Sequence, residues 1–285
     1  MTAVEGIRSF EADQPGAVAS IVQKPCDVLR MTQALLLNGA AASLRSARGK
    51  DHETPLFFLM HTVADGLRQA ELNLWLGYTV PIAWALRDAL EATALATLIW
   101  KDPTRSRAYW DGEGFPAAQV RKDLEALGLW SGMVGSLWLA YTMLSGLTHP
   151  TVDRLVQVVD ERRTEAGVVH TFNAGGTRDE NRLRTFAGLV AGCCMDVAML
   201  VEPLLTSYLS EQEARIVGTC VRDVARKAAD VLELNLAVRH LKPTDPGEAT
   251  DYERLLQGRL AKPMAKFEEA LEALTKSAQE VTVAK

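Results

Sequence analysis

The sequence predicts an all-α protein, a multi-helix bundle with one small β-hairpin. Three observations support this class. Apolar residues recur at spacings of three and four over segments much longer than a typical strand. Proline and glycine residues are grouped between these segments, where they begin and end helices. β-branched residues are concentrated in two short stretches, 155–161 and 168–173, which are separated by a polar, glycine-containing turn.

Composition excludes several classes of protein. The 285 residues are 48% hydrophobic, which is enough for a sizeable core, and the net charge of −5 lacks the basic excess typical of nucleic-acid-binding domains. The four cysteines (Cys26, Cys193, Cys194 and Cys220) form no Cys-x-x-Cys pair, so we predict no disulfide or zinc framework. Without a phosphate loop or a metal motif, we predict no cofactor. Acidic residues precede the first apolar run, which argues against a secretory signal and favours the cytoplasm.

Helix signals divide the chain into three parts. Residues 1–16 end in a Pro-Gly step and are predicted to be a flexible N-terminus, and residues 17–243 are predicted to form a helical core domain with the hairpin near 155–173. Within the core, helices are predicted at about 25–48, 54–76, 79–100, 116–128, 129–148 and 180–209, and a last one begins near 210 and includes Val238.

The third part, residues 244–285, follows the strongest break in the chain, at 243–247. It is predicted to be an amphipathic helix from about 248 to 280, interrupted at Pro263. Its apolar residues must be buried against another surface to be kept away from water. We therefore expect this helix to make a homo-oligomeric contact.

The stretch 126–148 carries no charged residue and is long enough to span a bilayer. It also contains several glycine, serine and threonine residues and ends in a His-Pro step. Buried helices of large soluble proteins share these features. We therefore predict no stable membrane insertion.

The third predicted helix has only three charged residues between 79 and 100, which are Arg87, Asp88 and Glu91. Arg87 and Glu91 are four residues apart and share a face, so they form either a narrow exposed stripe or an interior ion pair. An interior pair would lock one helix arrangement. Removing Glu91 from such a pair would cost roughly 3 to 5 kcal/mol.

Two other apolar helices carry isolated polar groups. Ser145 and His149 lie four residues apart at the end of the uncharged helix, where a histidine also suits the helix dipole. Asp196 is the sole charged residue between Arg184 and Glu202. Because buried charges need partners, we expect Arg87, Glu91, His149 and Asp196 to converge.

A second candidate binding feature is aromatic. Tyr109 and Trp110 follow one another in the short segment between the third and fourth long helices. Each ring carries a polar group as well as an apolar surface. We predict that this pair lines the mouth of a pocket.

The pattern Arg87-x-x-x-Glu91, followed by Ser145-x-x-x-His149 and a proline, resembles a family of uncharacterised bacterial helical proteins. That family is similar in turn to the HEPN superfamily of nucleotide-binding and RNase domains found in bacterial toxin and defence systems. The resemblance covers about residues 55–205. It implies a helical domain with a role in bacterial stress or defence.

The nuclease members of HEPN use an Arg-x(4 to 6)-His motif on one helix, and this sequence departs from that pattern. The positions upstream of His149 are Thr142, Met143 and Leu144, none of which is arginine. Two matches occur elsewhere, at 45–52 and 163–170, a number close to that expected by chance.

Two functions remain open. The first is a non-catalytic helical binding or interaction module whose ligand is an unknown protein partner or RNA. The alternative is a metal-independent, HEPN-like RNase or nucleotide-processing enzyme. In that enzyme His149 would act as the general acid or base, and Arg87 would stabilise phosphate charge, with Glu91 and Ser145 beside them.

Overall fold

The computed structural model describes residues 3–46, 53–128, 131–148, 159–164, 167–172, 176–177 and 179–240. Eight helices lie within these residues and confirm the all-α class. They are α1 (Ala3–Ser46), α2 (Thr54–Leu76), α3 (Thr79–Lys101), α4 (Arg105–Trp110), α5 (Ala117–Ala126), α6 (Ser131–Thr148), α7 (Glu180–Thr206) and α8 (Glu211–His240).

Two short strands occur between α6 and α7. β1 (Val159–Thr164) and β2 (Gly167–Phe172) are antiparallel, with Val159 opposite Phe172 and Thr164 opposite Gly167. β1 extends three residues beyond the end of the stretch 155–161 that the sequence assigned to it. Residues 155–158 lie outside the described part of the chain.

The long helices share one hydrophobic core. α7 packs against α1, α3, α6 and α8, and α3 packs against α2 and α6 as well. α2 and α3 approach each other closely at Gly66 of α2, where an added Cβ would lie 2.8 Å from the carbonyl oxygen of Ala85 and 3.1 Å from the Cβ of Ala89. A larger side chain at Gly66 would therefore force α2 and α3 apart.

The structure differs from the sequence prediction at the N-terminus. Residues 3–16, predicted to be flexible, belong to α1, which continues through Pro15 and Pro25. Gln14 is fully buried, and its side-chain amide donates a hydrogen bond of 2.7 Å to the carbonyl of Thr177. Tyr78 donates to the carboxylate of Glu11. We infer that these long-range contacts offset the backbone hydrogen bonds lost at the two prolines.

Gly77 completes this junction. It ends α2 in the left-handed region at φ 70°, and its carbonyl accepts a hydrogen bond of 2.8 Å from the amide of Thr177. A Cβ at this position would lie 2.4 Å from the Thr177 carbonyl oxygen. Glycine is therefore required here by its conformation and by the close approach of the chain.

Helix ends elsewhere follow the expected capping chemistry in part. Ser210 and Glu213 form a capping box at the start of α8, with the Ser210 amide donating to the Glu213 carboxylate at 3.0 Å. At α2, however, the residue before the helix is Glu53, and its side chain makes no capping hydrogen bond.

One described helix is long and apolar enough to cross a membrane by length and composition, and it is α7 rather than α6. An 18-residue window of α7 has a mean hydropathy of 1.7, and 72% of that window is buried inside the protein. A core helix of a soluble protein meets the same test, so this is weak evidence for a membrane span. The predicted C-terminal helix, within 244–285, lies outside the described residues.

Candidate functional site between α3 and α6

The charged residues of α3 lie on a narrow exposed stripe. Trp84 is 46% exposed, Asp88 is exposed, and the side chains of Arg87 and Glu91 are 26% and 39% exposed. These four residues follow the spacing of a single helix face, while most of the remaining α3 residues are buried. Of the two arrangements that the sequence left open, the structure shows the exposed stripe and not the interior ion pair.

Arg87 is held by groups from two helices. Its Nε donates to Glu91 of α3 at 3.0 Å, and a terminal nitrogen donates to the Thr148 hydroxyl of α6 at 3.3 Å. Its guanidinium carbon lies 5.3 Å from the centre of the Tyr141 ring, which is a cation–π distance. We call Arg87, Glu91, Tyr141 and Thr148 the α3–α6 polar cluster.

The electrostatics of this cluster keep the arginine charged. Burial on its own would lower the pKa of Arg87, but hydrogen bonds and charges from Glu91 and Tyr141 raise it above its ordinary value. The guanidinium is therefore a permanent cation. Because a guanidinium has five N–H donors, the contacts to Glu91, Thr148 and Tyr141 leave donor capacity for a ligand.

The other predicted catalytic residues are Ser145, in the last turn of α6, and His149. The Ser145 carbonyl accepts a hydrogen bond of 3.1 Å from the Thr148 hydroxyl, while the Ser145 hydroxyl is buried with no hydrogen-bond partner among the described residues. His149 follows Thr148 directly but lies outside the described residues. The structure thus brings Arg87, which pairs with Glu91, to the residue that precedes His149 in the chain.

Tyr141 and Thr148 were missed by the sequence reasoning, although a signal for them exists. Tyr141, Ser145 and Thr148 are spaced by four and three residues, so they share one face of α6. A search for polar residues at this spacing around Ser145 would have found both.

Asp196 lies apart from this cluster. It is only 3% exposed, and its carboxylate accepts a hydrogen bond of 3.0 Å from Ser136 of α6. Ser136 precedes Thr148 by about 18 Å along the helix axis. The expected convergence of Asp196 with Arg87 is therefore not what the structure shows. Burial raises the pKa of Asp196 to about 7, a shift that the Ser136 hydrogen bond tempers.

Tyr109 and Trp110 also lie away from the cluster. They belong to α4, which follows the end of α3, about 21 Å beyond Arg87 along the α3 axis. Trp110 is 49% exposed, and its ring makes edge contacts with Tyr109 at 6.0 Å and with Phe58 of α2 at 6.1 Å. The pair therefore contributes to a small aromatic surface that also includes Phe58.

The most buried charged site in the described chain was not predicted at all. Glu71 of α2 is 1% exposed, and its two carboxylate oxygens each accept a hydrogen bond of 2.6 Å, one from Arg30 of α1 and one from Arg68 of α2. The sequence contained a signal for this site, because the charged Glu71 shares a helix face with the apolar residues Leu67 and Leu74, which are buried. We call Glu71, Arg30 and Arg68 the α1–α2 ion cluster.

Two opposing effects set the ionisation of Glu71. Burial on its own would raise the pKa of this carboxyl group, but the hydrogen bonds from Arg68 and Arg30 lower it below its usual value. Glu71 is therefore ionised in the folded protein at neutral pH. Both arginine side chains remain about half exposed, at 49% and 53%, so each neutralises the carboxylate while its charge stays in contact with water.

Among the described residues, no group of three or more His, Cys, Asp or Glu side chains is arranged to hold a metal ion. Comparison with family models, curated proteins and solved structures finds no match for this chain.

Proposed function

We propose that this protein is a cytoplasmic helical binding module that holds a phosphate group of its ligand on Arg87, in the α3–α6 polar cluster. The observation that carries the proposal is the state of the Arg87 side chain. It is fixed by Glu91, Thr148 and Tyr141, and yet it is 26% exposed.

This arrangement suits recognition because the cost of ordering an arginine side chain is already met in the free protein. A guanidinium that is held in one orientation loses less conformational entropy when it binds. Its planar donors match two oxygens of a phosphate, and its charge strengthens both hydrogen bonds. The resemblance to HEPN proteins, which include nucleotide-binding domains, supports phosphate as the group to test and bacterial stress or defence as the setting.

The alternative function is a metal-independent, HEPN-like RNase or nucleotide-processing enzyme. The observation in its favour is that Thr148, which touches Arg87, is the immediate neighbour of His149 in the chain. In this enzyme Arg87 would stabilise the charge that develops on a phosphate, and His149 would transfer the proton. The binding module ranks first because no Arg-x(4 to 6)-His motif includes His149.

The experiment compares three phosphate probes, which are inorganic phosphate, adenosine monophosphate and a short single-stranded RNA. Binding is measured as the rise in melting temperature, and a probe at about a hundred times its Kd adds roughly 2.7 kcal/mol of stability. We expect at least one probe to stabilise the wild type and not Arg87→Gln. If none of the three stabilises the wild type, the proposal is wrong.

Arg121→Gln is the matched control. Arg121 forms the same four-residue pair with Glu125, at 2.8 Å, but on an exposed face where both side chains are about half exposed. The Arg121→Gln variant should bind the probes as the wild type does. If the RNA is cleaved, and His149→Ala abolishes cleavage without lowering the melting temperature, the enzyme replaces the binding module.

We also propose that the fold includes the small β-hairpin near 155–173. We infer that it forms in solution with β1 and β2 in the register given above. Amide hydrogen exchange tests this, because the amides that pair across the two strands should exchange more slowly than unpaired amides. Uniformly fast exchange throughout 159–172 would show that the hairpin does not form.

A further inference from the structure

An apolar groove runs between α1 and the N-terminal half of α8. Its volume is about 420 Å³. The residues that line it include Met31 and Leu35 of α1 and Ile216, Val217, Cys220 and Val224 of α8. Ile216 is 58% exposed, which is unusual for a side chain of this kind. The groove therefore presents apolar surface that favours burial by another apolar element.

We infer that residues 248–280 of this same chain fold back as a helix, antiparallel to α8, and cover the groove. This inference does not depend on the proposed function. It rests on the position of the groove, on the length of the connection after α8, and on the apolar pattern of the C-terminal segment.

The connection has the right length for a return. α8 ends at His240, and seven residues, 241–247, separate it from the predicted helix. Antiparallel neighbouring helices are commonly joined by about two to eight residues. The proline and glycine residues at 243–247 also suit a reversal of the chain direction. α8 is 30 residues long, so a helix from 248 to 280 is long enough to run along all of it.

The apolar pattern then falls in register with the groove. If residue 248 lies at the level of His240, the equal rise of the two helices places Phe267 beside Val221 and Leu271 beside Val217. These α8 positions lie within the groove or next to it. A single face of the C-terminal helix carries Leu256, Leu260, Phe267, Leu271 and Leu274.

Pro263 does not argue against this helix. In the described part of the chain, α1 continues through Pro15 and Pro25, and α7 continues through Pro203. Proline within a helix is thus a repeated feature of this fold. Pro263 also lies one turn before Phe267, so any bend there would leave the residues beside the groove in a continuous helix.

The chain's own segment is favoured over a second copy by its tether. A short flexible connection gives an effective concentration in the mM range, which exceeds the concentration of a second copy in ordinary solution. The sequence alone suggested a homo-oligomeric contact for this helix. The groove on α8, directly before the connection, instead favours contact within one chain.

Cys220 makes the inference testable because it lines the groove. It is the exposed cysteine, while Cys26, Cys193 and Cys194 are buried. A thiol reagent such as DTNB therefore reports on Cys220 in the folded full-length protein. We expect slow labelling in the wild type and at least about tenfold faster labelling in the double variant Phe267→Ser/Leu271→Ser, a change equivalent to about 1.4 kcal/mol of docking free energy.

The matched control is Glu268→Ser/Glu272→Ser, which changes residues away from the apolar face and should label like the wild type. Circular dichroism verifies that both variants remain folded. Equal and fast labelling of the wild type and the Phe267 variant would show that the groove is open and would overturn the inference.

A disulfide trap distinguishes one chain from two. Phe267→Cys lies within one residue of the level of Cys220 in the proposed register, and a disulfide requires Cα atoms about 4.4 to 6.8 Å apart. Under mild oxidation we expect a crosslinked species that migrates as a monomer, whereas Glu272→Cys should remain uncrosslinked. A crosslinked dimer would place a second copy in the groove and overturn the assignment to the same chain. Absence of any crosslink in the Phe267→Cys variant would also overturn it.

Discussion

The α1–α2 ion cluster and the α3–α6 polar cluster each pair arginine with glutamate, but these charged groups have opposite environments. In the first, Glu71 is buried and its two arginine partners reach toward water. In the second, Arg87 is more buried than its carboxylate partner, Glu91. The α1–α2 ion cluster joins two helices through a buried carboxylate, whereas the α3–α6 polar cluster holds a partly exposed arginine.

This difference separates stability from recognition. A buried carboxylate with two arginines has both oxygens satisfied, so it has little capacity for a ligand and its loss affects folding. A partly exposed arginine held from several sides has donors to offer, so under the proposed function its loss should affect binding more than folding. We therefore expect mutations in the two clusters to have different consequences.

The largest effect is expected from Arg30→Ala/Arg68→Ala, which leaves Glu71 buried without a partner. An uncompensated buried charge typically costs about 3 to 5 kcal/mol. Chemical denaturation at pH 7 measures this loss. The control is Arg121→Ala/Arg215→Ala, which removes two exposed arginines from four-residue pairs and should cost under about 1 kcal/mol per pair.

The pH dependence of this variant sharpens the test. In the wild type the pKa of Glu71 is lowered by folding, so its contribution to stability is present above the unfolded pKa and is lost as pH falls. In the variant, burial without the arginines should raise that pKa, and the variant should recover part of its lost stability as pH falls toward 4.5. A variant as stable as the control at pH 7 would show that the ion cluster does not stabilise the fold.

Helices with strong terminal signals were predictable from sequence. α2 and α3 begin and end within one residue of their predicted bounds, because Pro55 lies in the first turn of α2 and Gly77 lies between the two helices. The N-terminal part of α1 was not predictable in this way. Its order rests on contacts of Gln14 and Glu11 with residues distant in sequence, and no local pattern reports such contacts.

The candidate site was predictable only as residues and not as geometry. Isolated charges in apolar helices singled out Arg87 and Glu91, which pair at 3.0 Å in the structure, but the sequence could not decide between burial and exposure. That choice depends on which α6 residues face Arg87. The same reasoning grouped Asp196 with them because it too is an isolated charge, although it lies near the opposite end of α6.

The second prediction concerns Asp196, whose pKa is raised to about 7 by burial. A carboxyl group whose folded pKa lies above its unfolded value near 3.8 favours folding at low pH, and this contribution is lost as pH rises from about 4 to 7. The shift of about three pKa units corresponds to roughly 4 kcal/mol. Asp196→Asn keeps the acceptor for Ser136 without ionising, so it should be more stable than the wild type at pH 8.

The test is the free energy of unfolding between pH 4 and pH 8, measured for the wild type, Asp196→Asn and Asp111→Asn. Asp111 pairs with Arg107 on an exposed helix and serves as the control. The difference between the wild type and Asp196→Asn should grow with pH, while Asp111→Asn should follow the wild type. A constant difference across this range would show that Asp196 does not titrate with folding.

The smallest effect is expected from Glu91→Ala. Had the pair with Arg87 been interior, its loss would have cost roughly 3 to 5 kcal/mol. Because Glu91 is 39% exposed and Arg87 keeps Thr148 and Tyr141, the free energy of unfolding should fall by less than about 1 kcal/mol. Glu125→Ala, which breaks the exposed pair with Arg121, should cost a similar amount.

Phosphate-probe binding separates the two variants, since removing Glu91 frees the Arg87 side chain to move, and only that change should weaken binding. A loss above about 2 kcal/mol for Glu91→Ala would mean that the pair is buried in solution and that the α3–α6 polar cluster stabilises the fold, as the α1–α2 ion cluster does.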